Sequence, residues 1–290
     1  MPTVLWVNGE FRSPDEPAVS ALDRGLLLGY GVFETLAVEG GVAFALTRHL
    51  LRLENSARII GLKLPDLAWI RRGITAVCDQ WRSVAQGARG RMRVTVTGGP
   101  GPLGLPADEA APSVLIAVSS APAARQLGSD RGIRAAVSPW RINPDSPLQG
   151  AKTLSYAAHA VLQRYAREHG ADEILSATVD GQLCEGATSN VFVEVGAEML
   201  TPPLSAGCLP GITRELILEW ASQEGLPVRE ARDGELPLEV LETADHLAVT
   251  GSVRGIMPIT SMGSRDLRPG PLTEEVARVF QRNAALLGDP

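Results

Sequence analysis

Apolar positions recur along the first third of the chain at strand spacing and then at helical spacing. Residues 3–7 and 32–38 read as strands, and Gly40-Gly41 predicts a hairpin turn into a further strand over 42–46. From His49 onward Leu50, Leu53, Ala57 and Ile60 fall on one face of a helix, and Leu67, Ile70, Ile74, Val77 and Trp81 do so in a second. Over 90–97 the pattern alternates. Met92, Val94 and Val96 point one way, and Arg91, Arg93, Thr95 and Thr97 the other, so two arginines share a strand face. A strand over 114–119 follows, and then 120–128, rich in Ala and Pro without periodicity, predicts a linker.

The second half alternates again. Strands are expected over 133–137, 173–179, 190–195, 199–201 and 246–250, with a turn at Asp180-Gly181. Helices are expected over 154–165, with Leu154, Ala158, Val161, Leu162 and Tyr165 inward, and over 214–222 and 274–287. At 290 residues, two domains are the natural division. The pattern places a small N-terminal α/β domain over 1–119, the linker over 120–128 and a larger domain over 129–290, an α+β (mixed α/β) protein.

Composition narrows the chemistry. With 44% apolar and 21% charged residues the chain is globular rather than disordered. No apolar run approaches the ~20 residues of a membrane span, and the first nine residues lack the pattern of a secretion signal, so a cytoplasmic protein is expected. A net charge of −6 without a basic cluster argues against nucleic-acid binding. Cys78, Cys184 and Cys208 show no metal-ligand spacing and read as buried free thiols; no metal is expected. His49, His159, His169 and His246 pair with no nucleophile pattern and read as structural or exposed.

Of the 27 cationic residues only Lys63 and Lys152 are lysines. A GC-rich genome explains the excess of arginine, yet a lysine that persists is worth inspecting, because guanidinium cannot form a Schiff base. Lys152 lies in Leu148-Gln149-Gly150-Ala151-Lys152-Thr153-Leu154-Ser155-Tyr156, small and uncharged surroundings. A solvated surface lysine is the ordinary reading. Tyr156, four residues on, would stand beside the amine if the segment were helical, and a desolvated amine beside a phenol suits attack on a carbonyl. Glu185, ordinarily an exposed turn residue, gains meaning beside such a lysine. A carboxylate against a pyridine nitrogen is the electronic partner of pyridoxal phosphate. Gly211, Ile212 and Thr213 open a helix, and Gly251-Ser252 ends a strand; both offer small-residue anion sites that are otherwise ordinary structure. Arg52 would supply a cation.

Taken in order, these segments resemble the class IV aminotransferases, the fold type IV pyridoxal-phosphate proteins, along nearly the whole chain. The matching motifs are Asp23-Arg24-Gly25-Leu26 through Gly31-Val32-Phe33-Glu34-Thr35-Leu36, His49-Leu50-Leu51-Arg52-Leu53, Lys152-Thr153-Leu154-Ser155-Tyr156, Cys184-Glu185-Gly186 through Asn190-Val191-Phe192, and Leu209-Pro210-Gly211-Ile212-Thr213-Arg214. The resemblance implies pyridoxal 5'-phosphate as cofactor, Lys152 as its Schiff base and proton shuttle, Glu185 at the pyridine nitrogen and Tyr156 near the phenolic oxygen. It implies Arg52, Gly211, Ile212, Thr213, Gly251 and Ser252 around the phosphate, and a C-terminal pseudo-barrel domain. A homodimer with active sites near the subunit interface, acting on a small-molecule amine or amino acid, is implied as well.

Within that family the phrases around Phe33, Arg93 and Lys152 look most like 4-amino-4-deoxychorismate lyases of folate biosynthesis, which eliminate pyruvate to give 4-aminobenzoate. Transaminases of D-amino acids, branched-chain amino acids or (R)-amines are the alternative, and a catalytically silent cofactor-binding protein a remote one. D-amino-acid transaminases and several lyases carry an arginine where this chain has Gly98. Phe33, Thr35, Arg91, Arg93 and Val253 are the candidate substrate contacts, with Arg91 or Arg93 available to replace that missing cation.

Overall fold

The computed structural model describes residues 3–104, 111–121 and 132–290. They form two compact units. One comprises Met1–Ala123, Ala151–Tyr156 and Leu287–Pro290, and the other Ala124–Gly150 and Ala157–Leu286. The segment Ala151–Tyr156, placed by its sequence position in the second domain, therefore clusters with the first unit. The expected linker lies outside the described residues from position 122 on, and Ser120 closes a strand.

In the first unit six strands form one sheet: β1 (Thr3–Val7), β2 (Glu10–Arg12), β3 (Gly31–Glu39), β4 (Val42–Ala43), β5 (Gly90–Thr97) and β6 (Val114–Ser120), in the order β2-β1-β6-β5-β3-β4. Its helices are α1 (Arg24–Leu28), α2 (Leu46–Ile59) and α3 (Leu67–Val84). Alternation decides which face is which. Val32, Leu36, Val38, Met92, Val94 and Val96 pack with Leu50 and Leu53 of α2 and Ile70, Ile74, Val77 and Trp81 of α3, whereas Phe33 stands opposite Thr95 and Thr35 opposite Arg93 on the other face.

The strand expected over 42–46 stops at Ala43, because Ala45 adopts a left-handed conformation (φ 52°) and Leu46 already begins α2. Ala45 offers no side-chain cap, so α2 borrows one from residues 288–290. Thr47 donates its amide to Asp289 Oδ1 (2.7 Å) and its hydroxyl to Oδ2 (2.5 Å), while Ala45 N–H donates to the Gly288 carbonyl (3.0 Å). Asp289→Ala is expected to cost about 1 kcal/mol, the usual worth of an N-cap, read as a lowered urea midpoint with an unchanged slope.

In the second unit the strands are β7 (Ile133–Ile142), β8 (Glu173–Thr178), β9 (Leu183–Gly186), β10 (Asn190–Val195), β11 (Glu198–Thr201), β12 (Val228–Glu230), β13 (His246–Gly251), β14 (Gly255–Met262) and β15 (Arg265–Asp266); the helices are α4 (Ala157–Glu168), α5 (Ile212–Gln223), α6 (Val240–Thr243) and α7 (Pro271–Leu286). The strand order β12-β11-β10-β13-β14-β7-β8-β9 closes on itself because β9 also pairs with β10, through Glu185 and Asn190. Closure leaves both faces of most strands buried. Val191, Val193, Leu247 and Val249 pack around the 231–244 segment, while Phe192 and Ala248 lie with Ile217 and Ala221 of α5 and Val276 of α7.

The helix expected over 154–165 is displaced to Ala157–Glu168. Thr153 instead bridges Val32 of β3, with Phe33 N–H donating to the Lys152 carbonyl and Leu154 N–H to the Gly31 carbonyl (both 2.9 Å). The open edge of β3 thus takes up residues 152–154 through a single antiparallel bridge. Ala158 and Val161 are exposed rather than inward, and Ala166 is the buried residue of α4.

Candidate active site

In the first unit Lys152 is fixed at both backbone groups. Its carbonyl accepts from Phe33, and its N–H donates to Ser56 Oγ (3.1 Å), a buried hydroxyl on α2. Its ammonium lies 4.6 Å from the centre of the Phe33 ring and 5.8 Å from that of Tyr156, and these two rings meet edge to face at 5.1 Å. Tyr156 therefore stands near the amine as expected, but by the extended course of 152–154 and the shared neighbour Phe33, not by a helical turn. On the same ring the Arg93 guanidinium stacks at 3.6 Å. Arg91, exposed, follows on the same strand face.

Gly98 has no room for a side chain, since a Cβ there would collide with the Tyr30 ring. Tyr30 is itself anchored by its hydroxyl, which donates to the Gly61 carbonyl (3.2 Å).

Arg52, three residues along α2 from His49 and four before Ser56, is buried and donates from Nε to Glu34 Oε1 (2.8 Å) and from Nη2 to Oε2 (2.7 Å). His49 Nδ1 lies 2.7 Å from the same Oε2. A carboxylate only accepts, so this nitrogen carries the proton. Burial opposes ionisation of Glu34, but the adjacent Arg52 charge and the hydrogen bonds from Arg52 and His49 outweigh it and hold the carboxyl far below the usual range. Burial lowers the His49 pKa against the pull of Glu34, aided by the positive charges of Arg52 and Lys152.

Both shifts have one sign. A native state that resists protonation is stable at neutral pH and loses that stability as pH falls below the unfolded values, 6.5 for His49 and then 4.5 for Glu34. His49→Gln is expected to flatten the decline of melting temperature between pH 7 and pH 5; an unchanged slope in that window would assign the acid sensitivity elsewhere.

In the second unit Glu185 is the third residue of β9, and its Oε2 accepts from the Leu209 N–H (2.9 Å). Asn190, paired with Glu185 on one side and Thr250 on the other, donates to the Leu209 carbonyl (2.8 Å). Three adjacent strands thus bring Glu185, Asn190 and Thr250 into one row. The loop leading to α5 is tied to that row, and Gly211 is required there because a Cβ would collide with Asn190 Oδ1. Gly211 caps α5 without a side chain, so the first-turn amides at Ile212 and Thr213 meet no side-chain cap. The buried Thr250 hydroxyl has no protein partner among the described residues. Gly251 pairs with Gly255, and Ser252, Val253 and Arg254 make the turn between them. A capless helix start and an unsatisfied buried hydroxyl are hydrogen-bond donors of the kind a phosphate group takes.

Cys78, Cys184 and Cys208 are buried and free, and burial pushes the Cys208 thiol up to about 12. Among the described residues no group of His, Cys, Asp and Glu could hold a metal, and no helix is long and apolar enough to cross a membrane.

The family model for amino-transferase class IV matches residues 31–262. The chain belongs to the class IV aminotransferases. These are pyridoxal-phosphate enzymes of fold type IV, mixed α+β proteins with an N-terminal half-barrel sheet and a C-terminal barrel. It is 33% identical over 243 residues to the bifunctional aminodeoxychorismate lyase / D-amino acid transaminase of Mycobacterium tuberculosis, covering 77% of this chain and 79% of that one. It is 30% identical over 292 residues to the branched-chain-amino-acid aminotransferase of Salmonella typhimurium, covering 95% and 91%. A hypothetical aminotransferase from Mycobacterium tuberculosis, solved in a pyridoxal-phosphate-bound form, superposes with a TM-score of 0.86 at 28% identity over 97% of this chain and 98% of that one.

Proposed function

We propose that this class IV aminotransferase acts as a 4-amino-4-deoxychorismate lyase, releasing pyruvate and 4-aminobenzoate. Pyridoxal phosphate, when bound, withdraws electrons from the amine-bearing carbon of the substrate and so makes its proton removable. Lys152 Nζ holds the cofactor and carries that proton, and the Phe33 and Tyr156 rings confine the amine to one place. Glu185 would stand at the pyridine nitrogen and favour its protonated form. Tyr156 serves the phenolic oxygen. Arg52, Gly211, Ile212, Thr213, Gly251 and Ser252 bind the phosphate.

The observation that carries the lyase reading is the Arg91–Arg93 face of β5. Alternate residues of a strand stand about 7 Å apart on one side, which suits a substrate with two carboxylates such as aminodeoxychorismate. Phe33, Thr35 and Val253 complete the substrate contacts, with Arg93 held over Phe33 beside the amine. Position 98 is closed by Tyr30, so no cation reaches the substrate from there. In the lyase reaction Lys152 delivers its proton to the enolpyruvyl methylene carbon and the C–O bond breaks. Amino transfer, in which the proton is returned elsewhere, is the second reading, favoured by the branched-chain relative.

Purified holoenzyme incubated with aminodeoxychorismate, and in parallel with D- and L-amino donors plus a keto acid, separates the two. Pyruvate and 4-aminobenzoate from the first without amino transfer in the others is the expected result, and fast transfer without lyase product would overturn it. Leu26, Leu27 and Leu28 of α1 are exposed apolar side chains, which supports a homodimer; sedimentation at the monomer mass across micromolar concentrations would exclude it.

A further inference from the structure

Glu173, the first residue of β8, is fully buried, and its carboxylate is met by five donors. Oε1 accepts from Gln163 Nε2 of α4 (3.0 Å) and from the Ile174 N–H (3.2 Å). Oε2 accepts from Thr188 Oγ1 (3.1 Å), Ser189 Oγ (2.9 Å) and Arg254 Nη1 (3.1 Å). Arg254 Nη2 also donates to Thr188 Oγ1 (3.3 Å), which closes the cluster.

Burying a carboxylate is costly unless donors satisfy it. Three of the five donors, Thr188, Ser189 and Arg254, come from two turns. One is the turn after Glu185, where Gly186 N–H donates to the Ser189 carbonyl and a Cβ on Gly186 would collide with Ser189 Oγ. The other is the turn 252–254, which contains Ser252. The first turn has one further backbone tie, from Ala187 N–H to the Ile174 carbonyl (3.0 Å), and the second is flanked by the Gly251–Gly255 pair.

We propose that Glu173 is a positioning residue that fixes these two turns to one point, so that Glu185 and Ser252 keep a constant separation. The assignment rests on the cofactor roles given to Glu185 and Ser252 above. One carboxylate then sets the spacing of the ring-nitrogen partner and the phosphate partner, a spacing that a rigid cofactor requires. Glu173 touches neither end of the ligand in this scheme and acts through Thr188, Ser189 and Arg254.

The test titrates apoprotein with pyridoxal phosphate and with pyridoxal, and follows the visible absorbance of the bound cofactor against pH. Glu173→Gln is expected to weaken pyridoxal phosphate at least about tenfold, the order of losing one charge-assisted hydrogen bond, and to move the pH at which the band changes. Because that variant also loses stability, Arg254→Met repeats the test from the half-exposed end of the cluster. It is expected to weaken pyridoxal phosphate several-fold and to leave pyridoxal, which lacks the phosphate, unchanged. In a double-mutant cycle Glu173→Gln adds little to the band shift of Glu185→Gln, since both act on one group. Wild-type affinity and band position in both Glu173→Gln and Arg254→Met, with only thermal stability lowered, would overturn the proposal. Failure of the wild-type chain to bind pyridoxal phosphate would instead overturn the cofactor roles on which it rests.

Discussion

Replacing Lys152 by alanine is expected to lower turnover by at least about 10³-fold, within the range that one positioned proton carrier contributes. The loss follows from geometry that no neighbour can reproduce. The backbone at 152 is fixed by Phe33 and Ser56, so the amine has a defined origin, and Phe33 and Tyr156 confine it. Arg93 lies on the same ring but stays protonated and cannot take up the proton. The variant is expected to bind pyridoxal phosphate but to give no covalent adduct on borohydride reduction, whereas the wild type is expected to give one. Lys63, exposed and remote in sequence, is the internal control: Lys63→Ala should retain both turnover and the linkage. Wild-type-like turnover in Lys152→Ala would remove the central assignment.

Glu185→Gln is expected to cut kcat by roughly 10- to 100-fold, which corresponds to about 1.5–3 kcal/mol for a hydrogen bond to a charged group. The amide keeps the shape of the side chain and can still accept from Leu209 N–H, so the loop before α5 stays in place. What it loses is the charge that, in the proposed role, keeps the pyridine nitrogen protonated. Affinity for the cofactor should change less than kcat, and this split separates an electronic role from a merely architectural one. Equal losses in both would favour the architectural role, and unchanged rates would show that another group tunes the ring.

Much of this arrangement is legible in the chain because periodicity reports burial. Strand β10 and helices α2, α3 and α5 begin and end close to where their apolar patterns do, since each lays one face on a core. The segment 152–156 is different. Its Ala, Leu and Tyr spacing fits a helix, but the unpaired edge of β3 offers hydrogen bonds that lie more than a hundred residues away, and a local pattern cannot register them. Strand β14 was hidden by Pro258, a residue that argues against a central strand, although here it stands opposite Ala248 in the interior of the sheet.

Glu34 was legible in part. It occupies the phase of Val32, Leu36 and Val38, facing the core, and an acid at such a position calls for a buried cation. His49 and Arg52, three apart on the next helix, answer that requirement. No signal of this kind marks Glu173, Asn190 or Thr250, because each lies at a strand end, where polar residues are ordinary.

The threading of Ala151–Tyr156 and Leu287–Pro290 into the first unit also bears on how the protein is made. At about 5–20 residues per second, the ribosome completes the first six strands' sequence long before it supplies what finishes them. Until residue 154 emerges, the Gly31–Phe33 edge of β3 lacks its partner, and until residue 289 emerges, α2 lacks its cap. The nascent N-terminal half therefore waits on the order of a few seconds with an exposed sheet edge, a feature prone to wrong pairing. Truncated chains that stop before residue 150 should be held by chaperones rather than accumulate as a folded half.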